Sequence, residues 1–456
     1  MKTRLSKSVR LTATVFLLLG ISLNASAESV PSLSPSELTA RFQKLEGEIA
    51  RLQSQMVEQG QQHMAEMQEL KRQIEIKGPE EKSVYLPGAG EKGPKWLEGL
   101  SMGGDIRLRY EGFNQNEATR DRNRFRYRLR WKVTKQVTDN LELGFRLNTG
   151  ATNDPTGSNQ TFTGDFNFKN IFIDQAYVKY RPMFLQDYIP ALSNAEVAGG
   201  KFENPFLANS STMIWDVDTM PEGFYESLEW SLGEGRVRPY TVLGQYILQE
   251  NAALPDAEVY GFQSGVRWVP PGFEKDSGVQ LTHGLGYYDF SDYAANSNFI
   301  IDITSLARGN TRIGSSSSLA AGDFDILQVY NALDFKIKDL PVRIFSDFAV
   351  NLADRTPDPL DRNNAYEYGL KVGNAKKKGD WETGYYYAYV EPNAVVGAFA
   401  ESDFGAGHAD KRGSVTYLRY GLTDYLKLQL KAYFANNITG ADDETRRFQT
   451  DLEWVF

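Results

Sequence analysis

The chain has 456 residues, a formal net charge of −9, three histidines and no cysteine. These numbers exclude a disulfide scaffold, a thiolate metal site, a cysteine nucleophile and a His-rich zinc site, and the acidic balance argues against nucleic acid as a partner. At 41 % hydrophobic the chain cannot be a bundle of transmembrane helices, whereas 57 aromatics (24 Tyr, 26 Phe, 7 Trp) and 40 Gly favour many strands and turns.

Lys2, Arg4, Lys7 and Arg10 precede an apolar run from Leu11 to Leu23, and Ala25-Ser26-Ala27 supplies a small-x-small cleavage site. Residues 1–27 therefore read as a secretory signal peptide, its apolar part too short to span a bilayer. No cysteine follows that run, so the chain is not expected to be a lipoprotein.

Residues 34–76 read as a coiled coil. Ser34 caps, Pro35 suits the first helical position and Glu37 completes a capping box. Leu38, Phe42, Leu45, Ile49, Leu52 and Met56 form a heptad seam, which resumes at Met67, Leu70 and Ile74 after a stutter at Gly60 and His63. A long helix with one thin apolar stripe buries it against copies of itself, so a homo-oligomer is expected, dimer or trimer. A helix folded back on its own domain is the alternative. Residues 77–100 form a linker, broken at Gly78-Pro79, Pro87-Gly88 and Gly93-Pro94.

From Ser101 to Phe456 the hydrophobic period is two. Phe125, Tyr127, Leu129, Trp131 and Val133 alternate with Arg124, Arg126, Arg128, Arg130 and Lys132, and Leu426, Leu428 and Leu430 alternate with Lys427, Gln429 and Lys431. Strands are expected at 101–113, 122–137, 141–149, 170–181, 195–202, 222–232, 237–249, 257–269, 278–290, 324–337, 342–351, 365–374, 380–391, 411–422, 426–434 and 445–456. The strand at 170–181 has no cleanly apolar face, and counts of fourteen or eighteen are the alternatives to sixteen. Many segments have the length of a tilted bilayer crossing, aromatics such as Trp131, Trp268, Trp381, Tyr420 and Trp454 sit near their ends, and short turns alternate with long connections. The expected fold is all-β: a transmembrane up-and-down antiparallel β-barrel of about sixteen strands over 101–456, wide enough for an aqueous channel.

Parity places Arg107, Arg109, Arg124, Arg126, Arg128, Arg130, Lys132 and Arg146 on the inner face, as a basic ladder solvated by lumen water. The connection Phe206–Glu222 carries Met213, Ile214, Trp215 and Met220, which make sense if it folds inward and packs on the wall. Asp216, Asp218 and Glu222 would then oppose the ladder across a constriction. The competing readings of Asp216 and Asp218 are a backbone-capped turn and an Asp-x-Asp cation pair. Phe456 ends the chain on the outward parity, the terminal aromatic that barrel-insertion machinery reads. His283 lies on an outward parity and His408 in a long connection, neither with a catalytic constellation, so no enzyme, cofactor or metal is expected.

Asp105-Ile106-Arg107-Leu108-Arg109-Tyr110, Asn123-Arg124, Gly200-Lys201-Phe202-Glu203-Asn204-Pro205-Phe206 and Trp215-Asp216-Val217-Asp218-Thr219-Met220-Pro221-Glu222-Gly223, after a coiled-coil start, resemble the bacterial "putative porin" family. The resemblance runs from about Leu38 to Phe456. It implies a sixteen-stranded diffusion pore in the outer membrane of Gram-negative bacteria, trimeric as in related porins, with an inward loop after an early strand. The expected partners are outer-membrane lipid and lipopolysaccharide, further copies of the chain, periplasmic chaperones and the insertion machinery. A tether from outer membrane to cell wall through the coiled coil is the alternative function, but no basic or wall-binding module lies between Glu28 and Leu38.

Overall fold

The computed structural model divides into two units, Met1–Glu91 and Lys92–Phe456. It describes residues 97–115, 121–151, 154–252, 255–293, 308–312, 324–353, 362–406, 409–440 and 444–456. The expected signal peptide and coiled coil lie outside the described residues.

Sixteen antiparallel strands form the wall of the second unit: β1 (Leu100–Gln115), β2 (Arg122–Thr138), β3 (Leu141–Thr149), β4 (Ile171–Tyr180), β5 (Leu192–Lys201), β6 (Glu222–Trp230), β7 (Val237–Gln249), β8 (Ala257–Trp268), β9 (Gln280–Ser291), β10 (Phe324–Ile337), β11 (Leu340–Asn351), β12 (Asn364–Gly373), β13 (Trp381–Val390), β14 (Lys411–Gly421), β15 (Leu426–Asn437) and β16 (Thr445–Val455). Each pairs with its sequence neighbours and β1 pairs with β16, so the sheet has no free edge. The closing ladder ends on Phe456, whose N–H and carbonyl exchange bonds of 3.1 and 2.9 Å with Gly104. A Cβ on Gly104 would lie 2.9 Å from the Phe456 ring, so the absence of a side chain there seats the terminal aromatic on the outer wall. A two-residue ladder, Gln160–Thr161, adds to β2 beyond the end of β3.

The expected strands and the observed ones coincide apart from their ends. The weak alternation of 170–181 has a physical cause: the β3–β4 register shifts between Arg146 and Leu147, where Gln175 and Ile173 are the successive partners. A bulge there flips the parity, so Ile171 and Ile173 point outward before it and Ala176 and Val178 after it.

Ile106, Leu108, Phe125, Leu143 and Phe145 are exposed on the outer surface, while Asp105, Arg109, Glu111 and Arg128 of the same strands are buried on the inner one. This inverts a soluble protein, whose apolar face is the hidden one. The apolar core lies inside the barrel, where two long connections fold in. The first, residues 202–221 between β5 and β6, inserts Phe206, Met213, Ile214 and Trp215. The second, residues 391–406 after β13, inserts Val395, Val396 and Phe399. Trp215 stacks on Phe290 at 5.6 Å and 25°, with Tyr288 at 5.7 Å and Phe399 at 6.0 Å. The wall makes room with glycine: a Cβ on Gly261 would meet the Phe206 ring at 2.5 Å.

Candidate functional site: a charged lumen crossed by two loops

The two loops hold each other. Asp216 N–H donates to Phe399 O at 2.6 Å, and Glu401 N–H donates to Thr212 O at 3.1 Å. Ser402 N–H donates to the Asp216 carboxylate at 2.8 Å, and Asp218 N–H does the same at 2.8 Å. The first loop is also pinned to the wall, where Ser211 N–H donates to Asp347 at 2.8 Å and Gln263 bonds the carbonyls of Phe206 and Asn209. Segments of a lumen rarely keep one conformation unless their backbone groups find such partners.

The basic residues of β1 and β2 share the inner face with acids. Arg109 makes a bidentate pair with Asp451 (2.7 and 2.8 Å) and reaches Asp403 at 3.0 Å. Arg124 and Arg126 converge on Glu111 at 2.8 and 3.5 Å. Arg128 bonds Asp105 and Glu453, and Arg130 bonds Asp105 at 2.6 Å. Arg146 pairs with Asp174 and Lys132 lies 5.6 Å from the Tyr177 ring. Among the described residues Arg107 has a neutral partner alone, Asn159 Oδ1 at 2.6 Å, and its Nε is buried without one. The expectation of a ladder solvated by water therefore needs correction: most of these cations sit in a lattice of ion pairs, because the neighbouring strands β1 and β16 bring carboxylates to the same face. Arg128 is 4 % exposed and Glu111 0 %.

The three acids of the first loop part company. Asp216 is buried and caps its own turn by accepting the Asp218 and Ser402 backbone bonds. Burial, with the charges of Glu401 and Asp218 beside it, pushes its carboxyl well above the usual carboxylate range. Asp218 alone reaches the ladder, 3.7 Å from Arg130, and accepts a bond from Ser158 Oγ at 2.6 Å. Glu222 is 65 % exposed and pairs with Lys201 at 2.7 Å.

The acid that sequence reasoning passed over is Asp403 on the second loop. Arg447 donates to it at 2.5 Å and Arg109 at 3.0 Å. Burial works against its ionisation, but Arg447, Arg109 and Lys431 outweigh that and hold the carboxyl well below the usual range. The signal was present: Ala394-Val395-Val396-Gly397-Ala398-Phe399-Ala400 is an apolar run inside a long connection, and such a run needs a wall to pack on.

Among the described residues, two cavities of the lumen stand out. One of about 620 Å³ opens toward the rim of long connections, between Asn148, Asp174, Lys201, Trp215, Met220 and Tyr246. The other, about 600 Å³, opens toward the rim of short turns, between Arg107, Arg130, Glu367, Glu401, Lys427 and Lys431. Asp218 borders both. Among the described residues no group of His, Cys, Asp and Glu is arranged to hold a metal ion.

The fold has relatives among solved structures. OprB of Pseudomonas putida superposes with a TM-score of 0.50 at 12 % identity, over 79 % of this chain and 94 % of that one. OmpF of Salmonella typhi gives 0.45 at 9 % identity over 78 % and 97 %, and a Rhodopseudomonas blastica porin 0.43 at 10 % over 78 % and 100 %. No functionally curated protein matches the chain. The family model described as "Putative porin" matches residues 113–317 and 318–456, most of the barrel, and the chain belongs to that family.

Proposed function

We propose that the protein is an outer-membrane porin through which ions and small hydrophilic solutes diffuse passively. The observation that carries this reading is the inverted barrel: sixteen strands, apolar outside, charged inside, with a cavity on either side of Asp218. Family membership supports it. An Arg on the outer surface would cost about 2–4 kcal/mol at the bilayer midplane, whereas the inner face tolerates them at this density.

In this reading Asp218 and Ser158 stand against Arg130 at the constriction, and the inward loops narrow a lumen that sixteen strands alone would leave wide. Asp218 and the cations facing it set a transverse field that favours hydrated polar solutes. Trimeric assembly, the periplasmic coiled coil over 34–76, cleavage after Ala27, contact with lipopolysaccharide and recognition of Phe456 by chaperones and insertion machinery belong to the same reading. The heptad seam, the small-x-small site and the terminal aromatic strand support them. Liposomes carrying the purified protein should swell in isotonic pentose and stay unswollen in a large oligosaccharide; equal exclusion of both contradicts the proposal.

A further inference from the structure

The cavity on the short-turn side has a charge inventory that does not close on itself. Among the residues bordering this chamber, Arg109, Arg128, Arg130, Arg343, Lys371 and Arg419 all have a carboxylate within 4 Å, the last three through Asp334 and Glu382. These pairs consume the chamber's acids Asp451, Glu453 and Glu382, and Asp403 is consumed by Arg447 and Arg109.

What is left over has both signs. Among the described residues Arg107 on β1 has no carboxylate within ion-pair distance, and its buried Nε is orphaned. Lys431 on β15 rests on the Tyr433 ring at 4.7 Å, with the charge of Asp403 nearby but no ion pair of its own among the described residues, and Lys427 borders the same chamber. Against them stands Glu401 on the second inward loop, whose carboxylate has no hydrogen bond or ion pair among the described residues. Glu367 on β12 also borders the chamber, but a carboxyl only 5 % exposed and without a partner sheds its charge rather than carrying it. A buried charge without a partner is expensive, so the site is incomplete as it stands.

We infer that this chamber is a transit site for zwitterionic solutes, with Arg107 receiving the carboxylate and Glu401 receiving the cationic end. A simple anion would satisfy Arg107 and be repelled by Glu401; a simple cation would do the reverse. A solute carrying both charges answers both halves, and because the two halves are on separate elements, the spacing of its charges matters. The inference rests on the channel reading, which supplies the route by which the solute arrives.

The test is current interruption through single reconstituted channels at neutral pH. The probes are the zwitterions glycine, γ-aminobutyrate and ε-aminohexanoate, with butyrate, butylamine and butyramide as singly charged and neutral controls. At least one zwitterion should interrupt the current at about tenfold lower concentration than butyrate or butylamine, the worth of one further charge-assisted bond. Arg107→Gln should remove that advantage without changing butylamine. Glu401→Gln, on a loop rather than the wall, should remove it without changing butyrate. Equal potency of zwitterions and controls, or variants that alter all probes alike, overturns the inference. Failure of the channel reading looks different: no conductance in plain potassium chloride. In that case calorimetry of the same probes on the detergent-solubilised full chain still reads the site, and no heat from any zwitterion overturns it.

Discussion

Asp403 and Arg109 stand 294 positions apart in the chain and 3.0 Å apart in the lumen. With Arg447 on the other side of the same carboxylate, this contact carries the second inward loop from its aromatic bed near β9 and β10 across to the strands that close the barrel. Asp403→Asn removes the charge that holds both guanidiniums to the loop. Arg109 keeps Asp451 and Arg447 keeps Glu111, so the barrel should survive, at a loop cost of about 1–3 kcal/mol. Single-channel records should show larger, noisier openings, and selectivity should move toward anions.

The pH dependence follows from two carboxyls with opposite shifts. The Asp403 carboxyl is depressed, so its contribution is present above the ordinary aspartate value, about 3.9, and is lost only as pH falls through the lower folded value. The Asp216 carboxyl is raised, so its ionisation opposes the docked loop and that opposition is relieved as pH falls through its raised value. Both signs say that mild acid does not undock the loops. Hydrogen exchange of the amides of Glu401, Ser402 and Asp218 should stay protected from pH 7 to about pH 4 once corrected for intrinsic rates; loss of protection near pH 5 would contradict this.

Trp215 is the centre of the interior aromatic cluster, 2 % exposed and flanked by Phe290, Tyr288 and Phe399. Trp215→Ala should cost the loop pair about 3–5 kcal/mol of packing while leaving the wall ladders intact. The expected outcome is a protein that still runs as a folded, heat-modifiable barrel but conducts with larger and more variable openings. Unchanged conductance would mean that the loops do not narrow the path.

Charge reversal separates residues that line the path from residues that hold it together. Asp218→Lys changes a 13 % exposed side chain beside Arg130 and should shift reversal potentials toward anions with little loss of folded yield. Arg128→Glu instead sets a third acid against Asp105 and Glu453, and breaking a buried pair of this kind costs about 3–5 kcal/mol. Folded yield should fall for Arg128→Glu and hold for Asp218→Lys, checked by heat-modifiable migration and reversal potential together.

The strands were legible because a two-sided wall writes its parity directly into the sequence, as in Phe125 to Lys132. Even the blurred stretch at 170–181 was informative, since a bulge at Asp174 is what blurs it. The lumen was legible only in part. Parity put Arg107 to Arg130 inside, but it cannot say which cation meets which acid: the partners of Arg109 are Asp451, its neighbour only through barrel closure, and Asp403 on a loop. Trp215 betrayed the first inward loop by being too apolar for water. The run Ala394–Ala400 carried the same signal in smaller residues, and its destination depended on the shape of the interior, which no local pattern encodes.

The most direct test of passive diffusion through this lumen is the conductance of the purified full-length protein in planar bilayers, in plain potassium chloride. The expected result is stable, ohmic openings of porin size that become larger and noisier with Trp215→Ala and change ion preference with Asp218→Lys. A protein that inserts and migrates as a folded barrel, yet passes no current in any of the three forms, would contradict it.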